Sequence, residues 1–427
     1  MASLTEDLDF RGLIYQVSDP ALRHELDHGH LCAYIGFDPT ADSLHIGNLL
    51  QLCNLRRLQL AGHRPIALAG GGTGLIGDPG GRSEERRLLD ADELAANLEG
   101  IRPQLERFLD FSPSAGAARA RLLDNAAWLA PLRLLEFLRE VGKHFTVGQM
   151  VAKEAVRSRL ERPEGGISFT EFSYMLLQAY DFLHLYDTEG CRLQMGASDQ
   201  WGNITAGIDL VRKVRGATVY GLTSPLVTKA DGTKFGKSET GTVWLDPRRT
   251  SPFALYQHFV RVEDAVVGTY LRYFTFLGRE AILELDEATA RAPAQRRAQR
   301  ALAAEVCRLV HGDEEAARAE RASDALYSPE VARLGEEDLL VALEGAPSST
   351  LSWSTLDAGA DLVELLVASG LAPSKSGARR LIAEGAVYVN NERVRGGDGF
   401  VLRRDHVIAG RYVLLRRGRD LHLLALQ

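Results

Sequence analysis

The sequence predicts an α/β fold: a Rossmann-like parallel-sheet domain, then an α-helical domain, then a small α+β domain. Three observations carry this. Short apolar runs alternate with segments of helical periodicity between residues 31 and 214. Strand character disappears over 252–345, where Ala, Arg, Glu and Leu dominate. Beyond residue 360 a basic tail returns to short strands. The expected boundaries are 1–250, 251–345, a linker at 346–360, and 361–427.

Each element has its own warrant. Leu31–Phe37 is short and apolar, so it reads as a buried strand. Leu44–Gly62 has helical spacing and stops at glycine, and Pro65–Gly70 reads as a second buried strand. Strand, helix, strand in this order implies a parallel pair with a right-handed crossover. Helical patterns follow at Asp90–Leu109 and Leu132–Val141, an inner strand at Cys191–Ala197 and a helix at Asn203–Val214. In open sheets of this kind ligands sit beyond the carboxyl ends of the strands. The strings after Phe37, Gly70 and Gln194 all fall there. Gly345–Thr350 is rich in small residues and Pro, hence the expected linker. The tail reads as a helix–turn–helix carrying Lys375, Arg379 and Arg380, with strands near Val387–Asn390 and Tyr412–Leu415.

Composition narrows the class. The 427 residues are 45% apolar and 25% charged, typical of a globular protein with two or three domains. No apolar run approaches the roughly 20 residues of a membrane-spanning helix. The opening residues Met1–Asp7 lack the basic start and apolar stretch of a secretory leader, so a cytoplasmic location is expected. The four cysteines, Cys32, Cys53, Cys191 and Cys307, have no metal-binding spacing and fit a reducing compartment.

The net charge of −7 hides an asymmetry. Residues 371–427 hold 11 Lys and Arg against 5 Asp and Glu, a balance of +6 that leaves −13 for the rest. That pattern suits a local polyanion site, although a solvated charged surface would give the same count. Only seven residues are lysine, against 43 arginines, and Lys229, Lys234 and Lys237 lie within nine positions. Such a cluster favours compact, mobile point charges.

Two strings carry the chemistry. Gly36-Phe37-Asp38-Pro39-Thr40-Ala41-Asp42-Ser43-Leu44-His45-Ile46-Gly47-Asn48 puts a small-residue turn and an imidazole at the start of a helix. Lys234-Phe235-Gly236-Lys237-Ser238 puts two ammonium groups on a loop. Together they could close on a triphosphate from two sides and stabilise its departing anion. Gly72-Thr73-Gly74-Leu75-Ile76-Gly77 matches a dinucleotide-binding pattern, but Asp78-Pro79-Gly80-Gly81 breaks the helix that pattern requires. The loop instead suits close backbone approach to a ligand, with Asp78 offered to an ammonium group. Tyr174, Gln178 and Asp181 share one face of the helical segment Thr170–Tyr186. That face is either a polar stripe toward solvent or a pocket wall. With Tyr34 on the first strand it could inspect a ligand hydroxyl.

Taken together, these strings resemble the bacterial tyrosyl-tRNA synthetases of class I, over essentially the whole chain. His45–Asn48 resembles the HIGH signature and Lys234–Ser238 the KMSKS loop. The tail resembles a small RNA-binding fold shared with a ribosomal protein. The resemblance implies that L-tyrosine is activated with ATP and transferred to tRNA(Tyr). Tyr34 and Asp181 would bond the substrate phenol, and Asp78, Tyr174 and Gln178 its α-ammonium. Gln194 and Gln200 would line the amino-acid pocket. The ATP site would take in Gly36, Asp38, Thr40, His45, Gly47, Asn48, Asp199 and Ser238. Arg82, Arg86, Lys234 and Lys237 would surround the departing pyrophosphate, and Mg²⁺ would ride on the phosphates. Lys375, Arg379 and Arg380 would meet RNA, a dimerisation module being the rival use of the tail. A homodimer is implied.

The chain departs from the family at three points. Asn48 replaces the second histidine, Phe235-Gly236 replaces Met-Ser, and Ala197 stands where glycine is expected. Tryptophanyl-tRNA synthetases share the architecture, but Tyr34 and Asp181 suit a phenol. A catalytically silent RNA-binding relative would not need the lysine loop and His45.

Overall fold

A computed structural model describes residues 3–78, 89–153, 156–157, 160–161, 166–233, 235, 237–238, 241–395 and 399–427, with Ala91, Lys237 and Ser238 described by backbone alone. The chain forms two compact units: Met1–Thr250 with Val262–Val310, and Ser251–Arg261 with His311–Gln427. No helix of the described residues is long and apolar enough to cross a membrane.

The first unit is built on a six-stranded sheet. Its strands are β1 (Gln16–Val17), β2 (Cys32–Phe37), β3 (Arg64–Ala69), β4 (Arg121–Asp124), β5 (Cys191–Ala197) and β6 (Tyr220–Ser224). They lie in the order β1-β6-β5-β2-β3-β4. Only the short β1 is antiparallel. From β2 the chain runs outward through β3 and β4, then returns to place β5 and β6 on the other side. The order therefore switches between β2 and β5, the place where open sheets of this kind form a ligand crevice beyond the strand ends. The apolar runs that read as strands are buried on both faces, as parallel strands require.

The main helices are α1 (Leu49–Leu60), α2 (Ala91–Phe108), α3 (Phe169–Glu189), α4 (Trp201–Arg215) and α5 (Asp264–Phe274). α3 is capped by Ser168, whose side chain accepts from the Glu171 amide, and ends at Gly190 with φ 62°. Phe182 and Ala179 of α3 pack with Leu210 and Val211 of α4 on Tyr34 and Ile66 of the sheet. Two buried arginines fix α5. Arg11 donates to the carbonyls of Arg272, Thr275 and Leu277, and Arg57 to those of Arg272, Tyr273 and Thr275. They satisfy carbonyls that the end of a helix leaves open and meet the negative pole of its dipole.

The segment Leu44–Gly62 begins not as α-helix but as a tight turn, Ile46–Asn48, before α1. His45 causes this by spending its side chain on the Gly47 amide. β4 was not foreseen, because charged residues at both ends hide its apolar centre. Within the expected linker, Ser348–Leu351 forms a strand and Trp353–Asp357 a helix.

The second unit carries the tail. Its five strands run in the order Glu392–Arg393, Val387–Val389, Tyr412–Arg417, Asp420–Leu426, Ser348–Leu351, the last pair parallel. Helices Leu362–Ala368 and Lys375–Ala383 close a core that includes Leu362, Ile382 and Leu415. Lys375, Arg379 and Arg380 lie on the exposed side of the second helix. There Lys375 meets Glu364 at 2.7 Å and Arg380 meets Glu384 at 3.8 Å.

Candidate active site

The crevice at the switch point collects most of the residues singled out from the sequence. Tyr34 stands on β2 opposite Gln194 on β5, its register partner. Both side chains are buried, and neither the Tyr34 hydroxyl nor the Gln194 Oε1 has a hydrogen-bond partner among the described residues. A buried polar atom left unmatched costs about 1–3 kcal/mol, so two of them side by side point to a ligand that completes them. Burial, and the Asp181 carboxyl nearby, push the Tyr34 phenol well above its ordinary range.

Asp181 is 2% exposed on α3. One oxygen accepts from Trp128 Nε1 at 2.7 Å, the other from Asn125 Nδ2 at 2.9 Å. Burial raises its pKa to about 7, against the pull of these two donors. The pair holds the carboxyl in one plane while leaving each oxygen a second lone pair. Asn125 also donates to Thr73 Oγ1, and Thr73 donates in turn to Asp38. The Tyr174 hydroxyl reaches the other Asp38 oxygen at 3.2 Å. A continuous chain thus runs Trp128, Asp181, Asn125, Thr73, Asp38, Tyr174.

A second network lies beside it. Gln200 donates to Asp78 at 2.7 Å, Gln178 to the Gln200 carbonyl at 3.3 Å, and Asn203 to both glutamines. The face of Tyr174, Gln178 and Asp181 therefore turns to the interior and is not a solvent stripe. Tyr174 and Asp181 are buried and Gln178 half-buried.

The glycine-rich loop has another use than holding a dinucleotide. Among the described residues no long helix opens there; Thr73–Leu75 is a single tight turn. The Gly71 and Gly72 amides donate to Asp124 and Asn125. A Cβ at Gly70 would stand 2.3 Å from Asp38 Oδ1, so this glycine lets the loop approach β2.

The imidazole side is equally specific. His45 Nδ1 accepts from the Gly47 amide at 3.0 Å, which places the proton of the neutral ring on Nε2. Asn48 Oδ1 accepts from the His45 amide, so its side-chain amide keeps its donors. Gly36 is the one exposed residue of β2, and nothing lies within 4 Å of the Cβ it lacks. Thr40 is exposed on the following turn, and Asp199 is half-buried in the turn that opens α4. Lys237 and Ser238 form a two-residue ladder with Gly241–Thr242. Phe235 packs on Tyr270 and Phe274 of α5. Arg82, Arg86 and Lys234 lie outside the described residues.

Four residues of the site escaped the sequence reading: Asn125, Trp128, Thr73 and Asn203. Asn125 and Trp128 follow β4, and recognising that strand would have placed them at the crevice.

The family model for tRNA synthetases class I (W and Y) matches residues 26–328, and that for the Tyrosine--tRNA ligase SYY-like C-terminal domain matches 338–425. A tyrosine--tRNA ligase of Roseiflexus castenholzii is 54% identical over 429 residues, covering 100% of both chains. That of Bacillus caldotenax is 51% identical over 423 residues, covering 99% of each. The solved C-terminally truncated mitochondrial tyrosyl-tRNA synthetase of Aspergillus nidulans superposes with a TM-score of 0.69 at 33% identity, over 77% of this chain and 95% of its own. The class is that of the class I tRNA synthetases. Within it, the chain belongs to the tyrosine--tRNA ligase family.

Proposed function

We propose that the crevice activates L-tyrosine with ATP to tyrosyl-adenylate and pyrophosphate, then transfers tyrosine to the 3′-terminal adenosine of tRNA(Tyr). The observation that carries this is the buried Tyr34 hydroxyl beside the doubly held Asp181 carboxyl. One group donates to a phenol oxygen and the other accepts its proton. The α-ammonium falls to Asp78, Tyr174 and Gln178, with Gln194 and Gln200 lining the pocket.

The tyrosine carboxylate is ionised at neutral pH and needs no general base. Its oxygen attacks the α-phosphorus, the bond to the bridging oxygen breaks, and pyrophosphate leaves with the electron pair. Rate then comes from alignment and from charge opposed to the departing anion. His45 presents its Nε2 proton to a phosphate oxygen, with Thr40 and the Asn48 amide as neighbouring donors. Gly36, Asp38, Gly47 and Ser238 would belong to the nucleotide site, Asp199 would hold its ribose, and Arg82, Arg86, Lys234 and Lys237 would surround the pyrophosphate. Mg²⁺ would ride on the ATP phosphates and be held mainly by their oxygens.

The exposed apolar surface supports the homodimer reading. Leu134, Leu135, Leu138, Val147, Val151 and Phe169 are all exposed in one stretch of the first unit, as a homodimer interface would require. Residues 251–345 would serve the anticodon and 361–427 would grip tRNA through Lys375, Arg379 and Arg380, joined by 346–360. Four free, buried cysteines suit the cytoplasm. The test is exchange of labelled pyrophosphate into ATP. It proceeds with tyrosine and stays at background with phenylalanine; equal exchange with both amino acids removes the reading.

A further inference from the structure

We propose that Trp244 is a positioning residue for adenylate formation, holding the His45 imidazole and the exit of the lysine loop in one frame. The inference rests on the role given above to His45. The chain leaving the lysine loop returns directly to the His45 turn. Ile46 donates its amide to the Val243 carbonyl at 3.0 Å, and Leu245 to the Leu44 carbonyl at 2.8 Å. Between these bonds His45 and Trp244 face each other as an antiparallel pair. Asp246 continues the contact by donating its amide to Ser43 Oγ. Two residues before Trp244, Thr242 is the register partner of Lys237. The two motifs are thus joined through one short run of backbone.

The side chains close a circuit on that backbone. The Trp244 ring lies 6.2 Å from the His45 ring, tilted by 60°. That is within the distance at which aromatic pairs attract. The Arg249 guanidinium stacks on the Trp244 ring at 3.5 Å and meets Asp42 at 2.6 Å. Asp42 stands three residues before His45 on the same turn. Trp244 also donates its amide to Thr250 Oγ1. The indole is therefore gripped by a cation that is itself tied to the His45 turn. Trp244 sets the ring plane of His45 from one side, while the Gly47 amide sets its tautomer from the other.

The arrangement acts through His45, so its loss depends on His45. Trp244→Ala should lower the maximal exchange rate roughly tenfold or more, the scale on which misplacement of a reacting group acts. The KM for tyrosine, whose pocket uses none of these residues, should stay within about twofold. Trp244→Phe, which keeps an aromatic face, should recover all but about threefold. The deciding measurement is the double-mutant cycle. On a His45→Ala background, Trp244→Ala should cost less than about threefold. An undiminished loss on that background, or a matching rise in the tyrosine KM, overturns the proposal. If Trp244→Ala does not fold, Arg249→Gln carries the same cycle, since it releases the ring without removing it. Full exchange in His45→Ala alone would instead remove the role given to His45, an outcome the cycle separates from failure of Trp244.

Discussion

Specificity at the level of single residues rests on unmatched polarity. The Tyr34 hydroxyl and the Gln194 Oε1 are buried without partners, so the pocket is completed only by a ligand that brings hydrogen bonds with it. Tyr34→Phe removes one such demand. Its tyrosine-over-phenylalanine preference in pyrophosphate exchange should fall by about tenfold, the equivalent of one hydrogen bond; an unchanged ratio would remove Tyr34 from the recognition. Asp181 makes a second prediction. Its carboxyl moves from an ordinary 3.8 to about 7 on folding, so between those values the folded chain holds the extra proton. Stability must then fall as pH rises from about 4 to about 7 and level off above, by about 4 kcal/mol if the whole shift is expressed. Asp181→Asn abolishes that slope. Its urea midpoint should gain on the parent chain between pH 5 and pH 8, and a constant difference would contradict the shift. Tyr34, Asp181, Gln178 and Asp78 were legible because their strings are local. Asn125 and Trp128 were not, since each acts on a residue more than fifty positions away and neither belongs to a periodic pattern.

Elements show where local chemistry overrides periodicity. The apolar runs of β2, β3 and β5 announced themselves because both faces are buried. The start of α1 did not, because a side-chain cap on an amide cannot be read from apolar spacing. Gly47 exposes that cap to test. A Cβ there would stand 2.7 Å from His45 Cε1 and 2.8 Å from Nδ1, so Gly47→Ala must displace the ring. Exchange should fall roughly tenfold with the tyrosine KM unaltered; unchanged exchange would show that the ring position is immaterial. Arg57 tests a different element. Burial lowers its guanidinium to about 10, still charged at neutral pH, and it serves three carbonyls at the end of α5. Arg57→Met keeps the bulk but takes the side-chain donor from the Tyr273 carbonyl, while Arg11 still reaches those of Arg272 and Thr275. The expected loss is about 1–3 kcal/mol in urea unfolding, mostly the cost of one unmatched buried carbonyl.

For the whole molecule, the charge asymmetry was the legible feature and the way the tail is tethered was not. Gly345–Thr350 has the composition of a linker, yet Ser348–Leu351 is a strand paired in parallel with Asp420–Leu426. Small polar residues in an edge strand look like a loop when their partner lies some seventy residues downstream. The tail is also tied to the rest of its unit. Asn391 donates to the Leu326 and Ser328 carbonyls, and the Tyr412 hydroxyl to Glu336 at 2.8 Å. These facts decide where a truncation should fall. A cut after Ala360 leaves Ser348–Leu351 behind without its partner strand Asp420–Leu426, whereas a cut after Gly345 removes the sheet and its core together. Ending the chain at Gly345 should leave pyrophosphate exchange within about twofold, since no residue of the crevice is lost. Charging of tRNA(Tyr) should drop by roughly a hundredfold or more, and its dependence on salt should weaken, because the module carrying a +6 balance has gone. Undiminished charging with an unaltered salt slope would assign the tail to assembly. Exchange falling in step with charging would mean that the tail supports the crevice itself.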